Sequence, residues 1–174
     1  PTWMDLEDSS TFFDAYTHII DKLPSHFNMI VKLHPRLELD DAGLYYHIMG
    51  KYEQKPNLLF LKDFPLIFPL LSCSDIYLSD MSSIGYDFLA FNKPMFFLNK
   101  QNRNSATDKG LYLFRCGVEL KANQFPDLYT IIENNLKNDK ERFGKIRDEV
   151  YAYTFGPERP FADIKADIIR AYNS

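Results

Sequence analysis

Ser79-Asp80-Met81-Ser82-Ser83 is the stretch of this sequence whose residue types are best suited to chemistry. Two adjacent hydroxyls and a carboxylate stand there, just ahead of an apolar run with helical spacing. Hydroxyls and free backbone N–H groups at the start of a helix bind anions, phosphates above all, because the helix dipole leaves the first turn partly positive. The same residues fit a plainer role, with Ser82 an ordinary N-cap and Asp80 a turn residue favouring the positive helix end. Asp87 follows Ser83 by four residues, so it shares a helical face one turn deeper, placed to bond a donor hydroxyl or to hold the Ser82-Ser83 turn. Gly85 between them suggests close approach of another backbone or of a ligand. Neither G-x-G-x-x-G nor a Walker A pattern occurs, so no glycine-rich phosphate loop accompanies the serines.

His34 is the second candidate. It stands directly before Pro35 at the end of the apolar run FNMIVKL, where a side chain faces a crevice and not the core. A neutral or charged imidazole at that point can donate to a diphosphate; a satisfied surface or core histidine is the other reading. His18, His26 and His47 lie in helical or turn contexts without an evident partner. A third polar cluster, Pro1-Thr2-Trp3, falls at a strand end if a strand precedes residue 1.

These residues gain meaning from the elements that must position them. Phe12, Phe13, Tyr16, Ile19, Ile20 and Leu23 recur at helical spacing and predict a helix over residues 9–23, capped by Ser9 or Ser10 and stopped by Pro24. Residues 27–33 are short, apolar and partly β-branched, as in a strand buried on both faces. A helix over 40–51, a strand over 57–61 and a short helix over 66–72 follow, then a strand at 75–79, a helix at 82–91 and a strand at 95–98. The polar stretch 99–110 reads as an exposed, mobile loop, and helices are expected at 126–136, 139–152 and 160–172. Strand and helix taking turns over about a hundred residues implies right-handed crossovers. The fold class is therefore α/β, a Rossmann-like, doubly wound and mainly parallel sheet with helices on both faces. Ligands bind such sheets beyond the carboxyl ends of the strands, which is where the three polar clusters fall.

Composition narrows the function further. The 174 residues suit one domain, and 45% hydrophobic with 16% aromatic content is globular. A net charge of −4 and a pI near 5.6 provide no general basic field for nucleic acid or an anionic membrane, so phosphate contacts must come from local geometry. Cys73 and Cys116 lack metal-ligand spacing and any disulfide framework, and read as reduced thiols in a cytoplasmic setting. No apolar run approaches the roughly 20 residues that span a bilayer. The opening Pro1-Thr2-Trp3 is neither an initiator nor a signal peptide, which points to a chain that begins inside a longer protein. No metal cluster is evident, and no cofactor is expected.

Taken together, P-T-W followed by D-S-S-T-F, then K-L-H-P, then S-D-M-S-S-I-G-Y-D-F-L-A-F-N-K-P-M-F-F-L, resemble the CDP-glycerol glycerophosphotransferase family of teichoic-acid and capsule polymerases and primases. The resemblance runs clearly from Pro1 to Leu98 and weakly beyond, and its most specific part is the Asp-x-Ser-Ser element with the Phe-rich helix and Lys-Pro strand after it. It implies a two-domain fold of glycosyltransferase-B type, of which this chain is the C-terminal, nucleotide-binding half and the N-terminal acceptor domain is missing. It implies donor phosphate contacts from Ser82 and Ser83 with His34 beside them as the catalytic candidate. Structural or donor contacts are implied from Thr2, Asp80 and Asp87, with Trp3 in the first motif. The implied partners are CDP-glycerol and a polymer or lipid-linked hydroxyl acceptor, with no nucleic acid. The implied setting is the cytoplasm, peripheral at the inner face of the cell membrane. A UDP-sugar glycosyltransferase or UDP-N-acetylglucosamine 2-epimerase of the same architecture is the rival enzyme, and a nucleotide-binding module without activity the rival from another class.

Overall fold

The computed structural model describes residues 10–62, 66–157 and 159–173. Among the described residues five short strands, all in parallel ladders, alternate with helices. They form two sheets, one of β1 (Met29–Lys32) and β2 (Leu58–Leu61), the other of β3 (Tyr77–Ser79), β4 (Met95–Asn99) and β5 (Val118–Lys121) in that order.

The sequence MFFLN makes β4 the central element of the larger sheet, and every one of its residues is buried. Successive strand side chains point to opposite faces, so β4 serves two cores at once. Phe96 and Leu98 join Val31, Leu33 and Leu120 under the N-terminal helices, whereas Met95 and Phe97 pack against Leu71, Phe88, Leu113, Phe114 and Val150 on the other face. Helices therefore cover both faces, which makes the fold a Rossmann-like α/β arrangement.

The first core is closed by α1 (Phe12–Tyr16), which continues as a π-helical turn over Thr17–Asp21 and buries Phe12, Ala15, Ile19 and Ile20. Its N-cap is Thr11, without a side-chain cap bond, and not Ser9 or Ser10. Pro35 does not merely end the preceding strand. It opens α2 (Pro35–Asp40) at the first helical position, where a missing N–H costs nothing. Asp41 then joins two helices: its N–H bonds the Leu37 carbonyl, and its carboxylate accepts from Leu44 N–H at 2.9 Å to start α3 (Ala42–Tyr52).

On the second face, α4 (Ile67–Cys73) leads into β3, and α5 (Ile84–Phe88) runs on as a 3₁₀ turn over Leu89–Phe91. Asn92 takes a left-handed φ of 45° to end it. A β-carbon on Gly85 would lie 2.5 Å from Leu113 Cδ2 and 3.3 Å from the Tyr77 hydroxyl, so the close approach is by side chains of this chain. β5 was not expected from the sequence. Gly117 precedes it, and a β-carbon there would lie 2.1 Å from the Met95 carbonyl oxygen, so only glycine lets β5 sit against β4.

The stretch 99–110 is largely exposed and turn-rich, as expected of a loop, and carries its own hydrogen bonds. Asn99 donates to the Arg103 carbonyl at 2.7 Å, Arg103 Nε to Asp108 at 2.7 Å and Ser105 Oγ to Glu119, while Lys100 reaches Asp14 on α1 at 2.6 Å. A 3₁₀ segment over Lys109–Cys116 follows, then a second over Ala122–Asp127. The chain closes with α6 (Leu128–Leu136), α7 (Asp139–Phe155) and α8 (Phe161–Tyr172). Both cysteines are free, Cys73 exposed and Cys116 buried. Among the described residues no helix is long and apolar enough to cross a membrane.

Candidate functional site

A cavity of about 1000 Å³ separates the two sheets, with the residues of β1 along one side and those of β3 along the other. His34, just past β1, and Asp80, Ser82 and Ser83, just past β3, all line it. The fold thus brings four of the residues singled out by the sequence to one cavity. Asp87 sits on α5 but outside the lining, and burial raises its carboxyl above the ordinary range. Thr2 and Trp3 lie outside the described residues.

His34 holds its place as the N-cap of α2, where its Nδ1 accepts from the Arg36 N–H at 3.2 Å. A neutral imidazole that accepts at Nδ1 carries its proton on Nε2. Burial, followed by the charge of Lys32, lowers its pKa from the ordinary 6.5, so the neutral form with its Nε2–H donor prevails at pH 7.

Asp80 is only 3% exposed, and its carboxylate is engaged inward. It accepts from Thr11 N–H at 3.0 Å and from Ser79 Oγ at 3.3 Å, which ties the start of α1 to the end of β3. It is a framework residue. The expected cap also lies one residue on: Ser83 is the N-cap of α5, and no side-chain cap bond forms. Ser82 and Ser83 instead cap through their carbonyls, which accept from Gly85 and Tyr86 N–H, each at 3.0 Å. Desolvation pushes the pKa of the Tyr77 hydroxyl up to about 12, with the Ser79 and then the Ser82 side chain acting on it in the opposite direction. The exposed Ser83 hydroxyl has no partner among the described residues, which leaves it available to a bound group.

Two neighbours add to these residues. Lys32, the last residue of β1 and the first of the K-L-H-P motif, lines the cavity and acts electrostatically on His34. Thr11 is buried beside Asp80, with its hydroxyl unpaired among the described residues, and nothing in the sequence separated it from an ordinary helix-start residue.

Hydroxyl, imidazole and ammonium groups at the ends of two strands thus line one cavity, a set of groups chemically suited to an anion. The family model for CDP-glycerol:poly(glycerophosphate) glycerophosphotransferase matches residues 1–156. The chain belongs to this family. The match carries the motif resemblance past Leu98 through α7 and leaves α8 outside. No curated protein and no solved structure matches the chain. Membership in the glycerophosphotransferase family implies transfer of a phosphate-containing group, with a CDP-glycerol-type donor and a polymer acceptor. Among the described residues, no three of His, Cys, Asp and Glu gather as a metal site.

Proposed function

We propose that this chain is the donor-binding domain of a CDP-glycerol-type glycerophosphotransferase, one half of a longer two-domain protein of glycosyltransferase-B type. The observation that carries the reading is the convergence of His34, Ser82 and Ser83 on one cavity in a chain of this family. The acceptor is a hydroxyl of a teichoic-acid-like or capsule-like polymer, presented by the other half at the inner face of the membrane.

In the reaction the acceptor oxygen attacks the glycerol-bearing phosphorus of CDP-glycerol. A new P–O bond forms, the bond from that phosphorus to the bridging diphosphate oxygen breaks, and CMP leaves with the bond's electron pair. The acceptor proton passes to a base. Positioning and charge stabilisation supply most of the acceleration in such a displacement. His34 Nε2–H donates to the diphosphate as negative charge builds on the leaving CMP, the Ser83 hydroxyl and nearby backbone N–H groups hold a second phosphate oxygen, and Ser82 keeps the turn on Tyr77. Because acceptor and donor meet between halves, these 174 residues bind donor without turning it over.

Calorimetric titration of the parent and three variants tests this. Ser83→Ala and His34→Ala are expected to weaken CDP-glycerol by about 1–3 kcal/mol each, roughly 5- to 150-fold, while leaving cytidine unchanged. Ser82→Ala should weaken the donor and also cost about 1 kcal/mol of stability through the Tyr77 contact. CDP-glycerol binding unchanged in all three overturns the phosphate site. A uridine nucleotide that stabilises the chain as much as its cytidine counterpart shifts the assignment to a UDP-sugar enzyme.

A further inference from the structure

The cavity between the sheets has the form of a strand position. Met29 N–H bonds the Asn57 carbonyl and Tyr77 N–H the Pro94 carbonyl, so these amides point to β2 and to β4. Amides alternate along a strand, so those of Ile30, Lys32 and Leu78 point the other way, into the cavity. Among the described residues no ladder joins β1 to β3. The cavity is also roofed and floored as a sheet interior is: Phe12 and Ile19 of the α1 segment with Ile132 of α6 line it on one face, Leu71 of α4 and Phe88 of α5 on the other. Two facing sheet edges between two helical layers are costly unless their backbone groups find partners.

The geometry points to a sixth parallel strand in this slot, supplied by the residues immediately preceding Pro1 in the full-length protein and made of a nearly uncharged, β-branched run. Three observations choose that occupant over another. Thr11 N–H is bound to Asp80 at 3.0 Å, so the chain enters α1 at the carboxyl end of β3, where a strand parallel to its neighbours would deliver it. That strand, α1 and β1 then make a βαβ unit whose second strand borders the slot. Inserted first in chain order, it turns the observed β2-β1 and β3-β4-β5 into a sheet ordered 3-2-1-4-5-6, the usual doubly wound order. A strand buried on both faces also explains Ile30, which lines the slot and is 46% exposed without it. The carboxyl end of the added strand falls between His34 and Ser82, so the anion site is completed only when the slot is filled. The strand itself follows from the backbone alone, whatever the donor.

Residue-resolved hydrogen–deuterium exchange on the full-length protein and on residues 1–174 decides it, without any ligand. In the full-length protein the amides of Ile30, Lys32 and Leu78 are expected to be as protected as those of Val31 and Tyr77. In the 174-residue chain those three should exchange at least about 100-fold faster, with Val31 and Tyr77 as internal controls. Free exchange of the three in the full-length protein overturns the proposal, and that arm decides alone if the controls of the shorter chain also lose protection. Protection already present in the 174-residue chain overturns it equally, because residues 1–9 or a second copy would then fill the slot.

Discussion

His34 shows how far a single residue's environment sets its chemistry. Its Nδ1 is committed to the Arg36 N–H, and burial with Lys32 nearby disfavours the charged ring. The free protein should therefore show His34 titrating below 6.5 by imidazole proton NMR. The sign for stability follows from linkage: the unfolded chain takes up the proton first as pH falls below 6.5, so His34 makes stability rise with pH between its folded pKa and 6.5, and is silent above. A phosphate against Nε2 should move the titration upward. A free-state value at or above 6.5 contradicts this account. Arg147 is a residue-scale case of a different kind. Fully buried, it donates to Asp139 at 3.1 and 2.5 Å, to Asn92 at 2.9 Å and to the Cys116 carbonyl at 3.3 Å. Arg147→Ala strands the Asp139 carboxylate without water and should cost about 3–5 kcal/mol in urea denaturation. Arg147→Met with Asp139→Leu should recover much of that, since the pair's desolvation offsets most of its attraction.

Among the elements, α8 and β4 mark opposite extremes. β4 is buried on both faces and could be read from four apolar residues behind Lys93-Pro94. The amphipathic pattern of α8 was equally legible, yet the helix buries no residue, with Phe161 79% and Tyr172 90% exposed. Periodicity reports that a face is apolar, not that anything covers it. Truncation after Gly156 should therefore move the thermal midpoint by no more than about 2 °C in calorimetry, as expected for removal of unburied surface. A larger drop would mean that α8 packs on the domain. α2 and β5 were missed for local reasons. Pro35 is equally good as a strand stop and as a first helical residue, and Val118–Lys121 alternates apolar and charged residues as a half-buried strand does but over only four residues, too few to stand out.

For the molecule as a whole, a parallel α/β layer was legible because strand and helix patterns alternate from Phe12 to Asn99, and parallel strands need the crossovers that alternation provides. The residues beyond those strand ends, His34 and Ser82-Ser83, were legible for the same reason, since loops at carboxyl ends are where such sheets bind ligands. Their meeting at one cavity, the inward turn of Asp80 and the separation of β1 from β3 were not. Each depends on contacts between segments tens of residues apart, such as Thr11 with Asp80, and one-dimensional spacing carries no record of which strand edges face each other. The sequence by itself determined the types of most elements and the polar residues at strand ends, because hydrophobic period and turn chemistry are local, and its motifs pointed to the family. Only the tertiary structure decided which of those polar groups are spent on the framework, like Asp80, and which, like Ser83 and His34, line the cavity without such a tie, because that depends on contacts between distant segments.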